Sequence, residues 1–438
     1  MAKFTQVLEE KFMPIAGKVA GQKHLQALRD GIILTMPLII IGSIFLIIGF
    51  LPFKGYPEFM AGLFGDAWLT KLLYPVTATF DIMALIAGFG IAYRLAEHYK
   101  VDALNAGAIS VSAFVLATPY FTMFTPEGAS EAIQVGGVLP IALLGSKGLF
   151  VAMILAMFST ELYRFIIQKN IVIKMPDGVP PSVSKSFIAL FPAFIVILVV
   201  WLIRLLIENT SFETLHNVVG QLLQEPLGAL GGSLIGALIA VFFVQLLWST
   251  GLHGASIVGG VMGPIWLAAT DANRVALTAG NELPNVVTQQ FFDIFIYMGG
   301  SGATFTFALM MMFMAKSQHS KTLGRLAIGP GIFNINEPIT FGAPIVANPL
   351  LIVPFILAPL ALTITTYIGM STGFAPKTAG VAVPWTTPPI IGGYLATGGN
   401  LRGALMQLIN LAISFAIYYP FFRMWDKQNY KVEQGAKE

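Results

Sequence analysis

The stretch FNINEPITFGAPIVANP, residues 333–349, decides how the fold of this chain is interpreted. Glu337 is the only charged residue between Arg325 and Lys377, and it stands directly before a proline. A charge at the centre of a bilayer costs roughly 2.5–3.5 kcal/mol on insertion scales, so such a residue is a candidate functional group. In lipid, an interrupted backbone is tolerated only where it is buried in protein or lines a wet cavity. The stretch therefore predicts a broken membrane helix that faces a cavity.

The composition of the 438 residues places the chain in a membrane. It is 56% hydrophobic and 11% charged, whereas soluble domains carry about 25% charged residues. The net charge of +3 is too small to indicate a nucleic-acid partner. The absence of cysteine excludes disulfides, thiolate metal sites and a cysteine nucleophile. We therefore predict an all-α polytopic membrane protein with no metal and no cofactor.

The apolar segments form two groups, and each span needs about 20 apolar residues. Regular candidates occupy residues 31–51, 76–96, 105–124, 138–160, 187–207 and, rich in glycine, 226–249. Later in the chain, clear spans at 292–316 and 402–424 flank apolar stretches that glycine and proline interrupt. Interrupted segments of this kind are the best sequence indication of a transporter binding site.

We therefore predict four regions. Residues 1–30 form a cytoplasmic interfacial helix, 31–210 a scaffold and dimerisation half, 220–425 a transport half with the substrate site, and 426–438 a cytoplasmic tail. Basic residues concentrate before the first span, after the second and close behind the last. Loops rich in Lys and Arg stay in the cytoplasm, so both termini are expected there.

Two compatible interpretations apply to Glu337. As a functional group, its carboxylate faces the cavity, and Asn334 and Asn336 offer amide donors and acceptors beside it. As part of a helix start, Asn336 is the cap and Glu337 and Pro338 belong to the first turn. A helix that begins there directs the positive end of its dipole toward the cavity.

Three further candidates lie outside this stretch. His253, in GLHG, can exchange a proton near neutral pH, although a lone histidine is often a satisfied core residue. Trp385, in VPWTTPP, offers a rigid aromatic face of the kind that packs against sugar rings, or it belongs to an interfacial aromatic belt. Asn285, in NELPNVVTQQ, lines a vestibule or belongs to an ordinary loop.

These motifs together resemble a known family. FNINEPITFGAPIVANPLLIVPF, with GLHG upstream and PWTTPPIIGGYLATGG downstream, is similar to enzyme IIC, the membrane permease of the bacterial phosphoenolpyruvate-dependent sugar phosphotransferase system. The lactose, cellobiose and diacetylchitobiose branch is the most similar. The resemblance covers essentially the whole chain. It implies a homodimer of protomers with about ten transmembrane helices and re-entrant hairpins in the C-terminal half.

The resemblance also implies roles for named residues. Glu337 and His253 hold the sugar 6-hydroxyl that becomes phosphorylated, Asn336 helps to bind the sugar, and Trp385 stacks against it. Asn334 and Asn285 are further substrate-binding candidates. The phosphoryl donor in this family is a phosphocysteine of the soluble IIB component. Since the chain has no cysteine, we expect IIB, and the IIA component behind it, on separate chains.

The residues alone leave other classes open. An ion-coupled secondary sugar transporter is the principal alternative, with Glu337 and His253 as a proton pair. An intramembrane hydrolase lacks a convincing nucleophile and base. A channel is a weaker candidate, because one carboxylate without a ring of like charges is a poor basis for ion selectivity.

Overall fold

The computed structural model describes residues 21–51, 55–126, 131–173, 180–346 and 348–435, together with Pro14, Gly17 and Lys18. Within the predicted interfacial helix at residues 1–30, most of the residues that precede Lys23 are not among the described residues.

The described chain is helical apart from one short hairpin. In the first half lie α1 (Lys23–Ile33), α2 (Met36–Gly49), α3 (Tyr56–Phe64), α4 (Trp68–Leu72), α5 (Tyr74–Phe80), α6 (Met83–Tyr99), α7 (Ala103–Ala117), β1 (Phe121–Phe124), β2 (Ile133–Gly136), α8 (Ile141–Leu144), a 3₁₀ turn (Ser146–Gly148), α9 (Leu149–Gln168) and α10 (Pro181–Glu208). The antiparallel β1–β2 hairpin pairs Phe121 with Gly136.

The described part of the second half consists of ten α-helices and two π-helical turns. They are α11 (Leu215–Val219), a π-helical turn (Gly220–Gln224), α12 (Glu225–Gly231), α13 (Leu234–Ser249), α14 (Gly254–Thr278), a second π-helical turn (Phe291–Ile296), α15 (Phe305–Met314), α16 (Gln318–Ile332), α17 (Glu337–Gly342), α18 (Pro349–Ser371), α19 (Ile391–Ala396) and α20 (Leu401–Gly435).

The prediction of an all-α polytopic membrane protein is confirmed, with a smaller number of spans. Among the described residues, 7 helices are long and apolar enough to cross a membrane, or up to 8 if a bent pair is one span. That pair, Leu215–Gly231 and Leu234–Ser249, bends by 78°. The expected number was about ten.

Two predicted spans account for much of the difference. The span predicted at 105–124 ends as a helix at Ala117, after which the chain turns into the β hairpin. The span predicted at 292–316 is divided into a π-helical turn and α15 by a glycine-rich turn, where Gly299, Gly300 and Gly302 have positive φ. At the C-terminus the helix continues, since α20 runs without interruption to Gly435 through most of the predicted tail.

The chain divides into two compact units. One combines Gln22–Gly42 with Leu73–Gly228, and the other combines Ser43–Leu72 with the chain from Ala229 onward. All six candidate site residues belong to the second unit. The functional division into a scaffold half and a transport half stays a prediction.

A buried aromatic cluster organises the second unit. Side chains of α13, α15, α17, α18 and α20 meet in it, and the rings of Phe307 and Tyr418 stack with centroids 5.2 Å apart. The Tyr418 hydroxyl donates to the backbone oxygen of Gly302 at 2.8 Å. The cluster thus ties the glycine-rich turn to α20.

Carboxylates of α20 hold the start of α16. Asp426 accepts from the backbone N–H of Lys316 at 2.7 Å, and Glu433 accepts from the backbone N–H of His319 at 2.7 Å. Negative groups at a helix start satisfy its free N–H groups and complement its dipole. Because α16 ends two residues before Asn334, these hydrogen bonds hold in place the helix that leads into the candidate site.

Candidate functional site

The site begins where α17 starts at Glu337 with a proline in its first turn. The backbone oxygen of Asn336 accepts from the N–H groups of Ile339 and Thr340, both at 2.9 Å. Asn336 is therefore at the predicted cap position, but its side chain does not cap the helix. The Glu337 side chain is exposed and, among the described residues, makes no hydrogen bond or ion pair. Its carboxylate is available to a ligand.

The Asn336 side chain instead joins α17 to the glycine-rich turn. Its amide nitrogen donates to the backbone oxygen of Ser301. A Cβ atom on Gly300, whose φ is +88°, would lie 2.6 Å from the Asn336 Cγ atom. Only glycine suits both the backbone angle and this close approach. The turn and the start of α17 are therefore packed as one piece.

Asn334 connects the same piece to the segment that carries Trp385. Its amide nitrogen donates to the backbone oxygen of Trp385 at 2.6 Å and of Thr387 at 3.1 Å. Its side-chain oxygen accepts from the backbone N–H of Gly299 at 2.7 Å. The Trp385 side chain keeps 46% of its surface exposed. The structure thus places an exposed indole on a backbone that is tied three residues from Glu337.

His253 is held at the start of α14. Its Nδ1 accepts from the backbone N–H of Ser256 at 3.1 Å and lies 2.8 Å from the Ser256 hydroxyl. A backbone N–H only donates, so Nδ1 carries no proton and the neutral ring carries its proton on Nε2. The ring is exposed and lies 4.5 Å from the Trp248 ring, centroid to centroid. His253 therefore presents an N–H donor.

His253 and α17 both pack against the buried aromatic cluster. Trp248, which contacts the histidine ring, is buried in the same cluster as Ile339 of α17. A Cβ atom on Gly254 would lie 2.0 Å from the Val244 backbone oxygen, so α14 can begin against α13 only with glycine at this position. Gly254, the second glycine of GLHG, thus determines the position of the neighbouring His253.

Asn285 belongs to a different part of the unit. Its amide donates to the Ala269 backbone oxygen at 3.2 Å, and its backbone N–H donates to the Asn273 side chain at 2.8 Å. Ala269 lies 16 residues after His253 on α14, which is roughly 24 Å of helix. The interactions of Asn285 stabilise the loop against α14. Its predicted contact with substrate stays a prediction.

The glycine-rich turn and the amides that support the site are not among the residues predicted from the sequence. The span predicted at 292–316 includes residues 299–302, GGSG, although three glycines within four residues indicate a break. Gln407, buried in α20, accepts from the backbone N–H groups of Ile390 and Gly393 at 2.6 and 2.7 Å. No local sequence signal marks it, because its partners lie on another element. Among the described residues, no group of three His, Asp or Glu side chains could hold a metal ion.

Comparison with known proteins identifies the family. The model for the phosphotransferase system EIIC family matches residues 29–359. The chain belongs to this family. The putative permease IIC component YwbA of Bacillus subtilis (strain 168) is 66% identical over 437 residues and covers 100% of this chain and 98% of the relative. The cellobiose-specific EIIC component of Geobacillus stearothermophilus is 65% identical over 437 residues, and the match covers 99% of this chain and 97% of that relative.

A solved structure agrees with this assignment. The crystal structure of the transporter ChbC, the IIC component from the N,N'-diacetylchitobiose-specific phosphotransferase system, matches with a TM-score of 0.95 and 59% identity. The match covers 98% of this chain and 99% of that chain. The predicted resemblance to enzyme IIC is confirmed. The chain is thus a multi-pass membrane permease component, and EIIC proteins work together with IIA and IIB components.

The contact between Gly300 and Asn336 generates a stability prediction for this EIIC protein. Gly300→Ala introduces a left-handed alanine and a clash with Asn336. The left-handed alanine costs about 1–2 kcal/mol, and overpacking adds about 1–3 kcal/mol. We expect a clearly lowered melting temperature of the detergent-solubilised protein.

Gly373→Ala is the matched control for this measurement. Gly373 has a similar φ of +75°, but a Cβ atom there would meet nothing within 4 Å. Its substitution should carry the backbone cost alone. Equal melting temperatures for the two variants would show that the turn does not pack tightly on Asn336.

Proposed function

We propose that this EIIC protein imports a β-linked disaccharide of the cellobiose or diacetylchitobiose type and presents its 6-hydroxyl for phosphorylation by a separate IIB subunit. We further propose that it works as a homodimer with both termini in the cytoplasm. The observation that carries the assignment is the exposed Glu337 carboxylate on a broken helix, which has no partner among the described residues. Asn334, three residues before it, is hydrogen-bonded to the segment of the exposed Trp385.

The sugar class is supported by the relatives. One is named as specific for cellobiose and another, a solved structure, for N,N'-diacetylchitobiose. Both proteins match over nearly their whole length. Both sugars are disaccharides with a primary 6-hydroxyl, so one arrangement of polar groups serves for either.

The proposed contacts use the opposite hydrogen-bonding character of two side chains. The ionised Glu337 carboxylate is only a hydrogen-bond acceptor, and it accepts a hydrogen bond from the sugar 6-hydroxyl. His253 offers its Nε2–H as a donor to the oxygen of that hydroxyl. Trp385 packs its indole face against a sugar ring. Asn336 joins the site through its fixed position beside Glu337. Direct contacts of Asn334 and Asn285 with the sugar are sequence-based predictions.

The proposed chemical step takes place when IIB carries a phosphocysteine. The sugar 6-oxygen attacks phosphorus as the new O–P bond forms and the S–P bond breaks, and the IIB thiolate leaves. The hydroxyl proton passes to Glu337. Phosphoryl transfer depends mainly on in-line positioning and stabilisation of charge, and Glu337 and His253 provide the positioning. The charged product does not readily return across the membrane.

An ion-coupled secondary transporter stays the second candidate, because Glu337 and His253 are both exposed titratable groups in one unit. The two functions differ in their energy source. Vesicles without phosphoenolpyruvate and soluble components, but with a proton gradient, should accumulate no sugar under our proposal. Accumulation driven by the gradient would support the alternative.

We predict that Glu337→Gln weakens cellobiose binding about 10- to 100-fold, because a hydrogen bond to a charged group is worth about 1.5–3 kcal/mol. His253→Ala should weaken binding to a smaller extent. Titration calorimetry on purified protein measures both. Glu282→Gln is the control, since Glu282 is an exposed carboxylate in a loop of the same unit. Wild-type affinity in both site variants would exclude the proposed site.

A second measurement on Glu337→Gln isolates the general-base role. General bases contribute about 10²- to 10⁴-fold to rate. At saturating cellobiose, single-turnover transfer from phosphorylated IIB should therefore slow by at least about 100-fold. A rate close to that of the wild type would leave Glu337 as a hydrogen-bond acceptor alone.

The absence of cysteine makes the proposed topology directly testable. Single cysteines are introduced as Gly435→Cys in the last helix and Glu131→Cys in the loop before β2, both exposed positions. On intact cells, a membrane-impermeant maleimide should label the cysteine at 131 and not the one at 435. Labelling at 435 before lysis would reverse the proposed orientation.

A further inference from the structure

The segment that carries Trp385 is irregular and poor in hydrogen-bond donors. Residues 384–390, PWTTPPI, precede α19 and contain three prolines, which have no backbone N–H. Ile390 has a φ of +77°, and a β-branched residue in this region is strained by about 1–3 kcal/mol. Such a conformation persists only where its surroundings hold it.

Three side-chain amides hold this segment. Gln290 accepts from the backbone N–H of Val383 at 3.0 Å, just before the segment. Gln407 accepts from the backbone N–H of Ile390 at 2.6 Å, at its other end. Asn334 donates to the two backbone oxygens in between, those of Trp385 and Thr387. Backbone groups that lack a helix or sheet partner are thereby satisfied.

Asn334 has no donor left for a ligand. A side-chain amide has two N–H donors and one oxygen. In Asn334 both donors are directed to backbone oxygens, the oxygen accepts from Gly299, and only 7% of the residue is exposed. Its own φ of +61° lies in the left-handed region that asparagine tolerates better than most residues.

We propose that Asn334 is a positioning residue: it fixes the Trp385 indole relative to Glu337 and acts on the sugar through Trp385 rather than by contact. The proposal rests on the sugar site described above. It differs from the sequence-based expectation that Asn334 itself binds the substrate. The three hydrogen bonds of Asn334 join the glycine-rich turn, the start of α17 and the Trp385 segment. The two parts of the site that carry Glu337 and Trp385 are therefore connected through this one side chain.

Two substitutions remove the connection in different ways. Asn334→Gly keeps the left-handed backbone without strain and removes the amide. Asn334→Asp keeps the acceptor for Gly299 and removes both donors. Two lost hydrogen bonds should weaken cellobiose binding about tenfold in either variant. Asn170→Gly is the matched control, because Asn170 has a φ of +57° and an exposed side chain, and it should bind cellobiose as the wild type does.

A double-mutant cycle with Trp385→Ala separates positioning from direct binding. If Asn334 acts through Trp385, Asn334→Gly should change cellobiose affinity less than about twofold once the indole is absent. The same tenfold loss in both backgrounds would overturn the proposal, because Asn334 would then act independently of Trp385.

Hydrogen–deuterium exchange tests the proposal without sugar. Peptides covering residues 384–393 should exchange faster in both Asn334 variants than in the wild type and in Asn170→Gly. Unchanged exchange would overturn the positioning role even if sugar binding fell. If the wild-type protein itself binds no cellobiose while both Asn334 variants exchange faster, the proposed sugar site is overturned and the positioning of the Trp385 segment by Asn334 stands.

Discussion

The second unit depends on one constraint: backbone that leaves a helix in an apolar surrounding must find hydrogen-bond partners among side chains. Broken segments lie at 299–304, 333–336 and 384–390, and each of them is tied to another by an asparagine or glutamine amide. Free polar groups in such surroundings cost several kcal/mol. The amides therefore make an irregular region possible, and the irregular region is where Glu337 and Trp385 are exposed.

Four other carboxylates of this unit also have partners within the protein. Asp271 forms a buried ion pair with Arg274 at 2.6 Å, Asp293 accepts from Gln289, and Asp426 and Glu433 hold the start of α16. Glu337 is different, since no described group neutralises it. A carboxylate on a broken apolar helix that the fold does not use for its own stability is available to a ligand, and its contrast with these four carboxylates comes from the structure rather than from the sequence.

Much of the fold was predictable because its signals are local. Apolar length marked the membrane helices, and the isolated charge at Glu337 and the glycines around His253 marked breaks where side chains are exposed. The roles of Asn334 and Asn336 were not predictable, because an amide beside a carboxylate looks the same whether it serves a ligand or a carbonyl 51 residues away. The role of Gln407 was not predictable because its partners lie on another element. The glycine-rich turn falls inside a single predicted span because the residues on both of its sides are apolar enough to belong to one helix.

The last helix gives the unit a further property. α20 contains 35 residues, which is about 52 Å. Near one end its Gln407 holds the segment after Trp385, and near the other its Asp426 and Glu433 hold the helix that leads to Asn334. The Trp385 segment and the helix that leads to Asn334, which border the proposed sugar site, are thus both hydrogen-bonded to one helix. A displacement of α20 would therefore move both of these segments together.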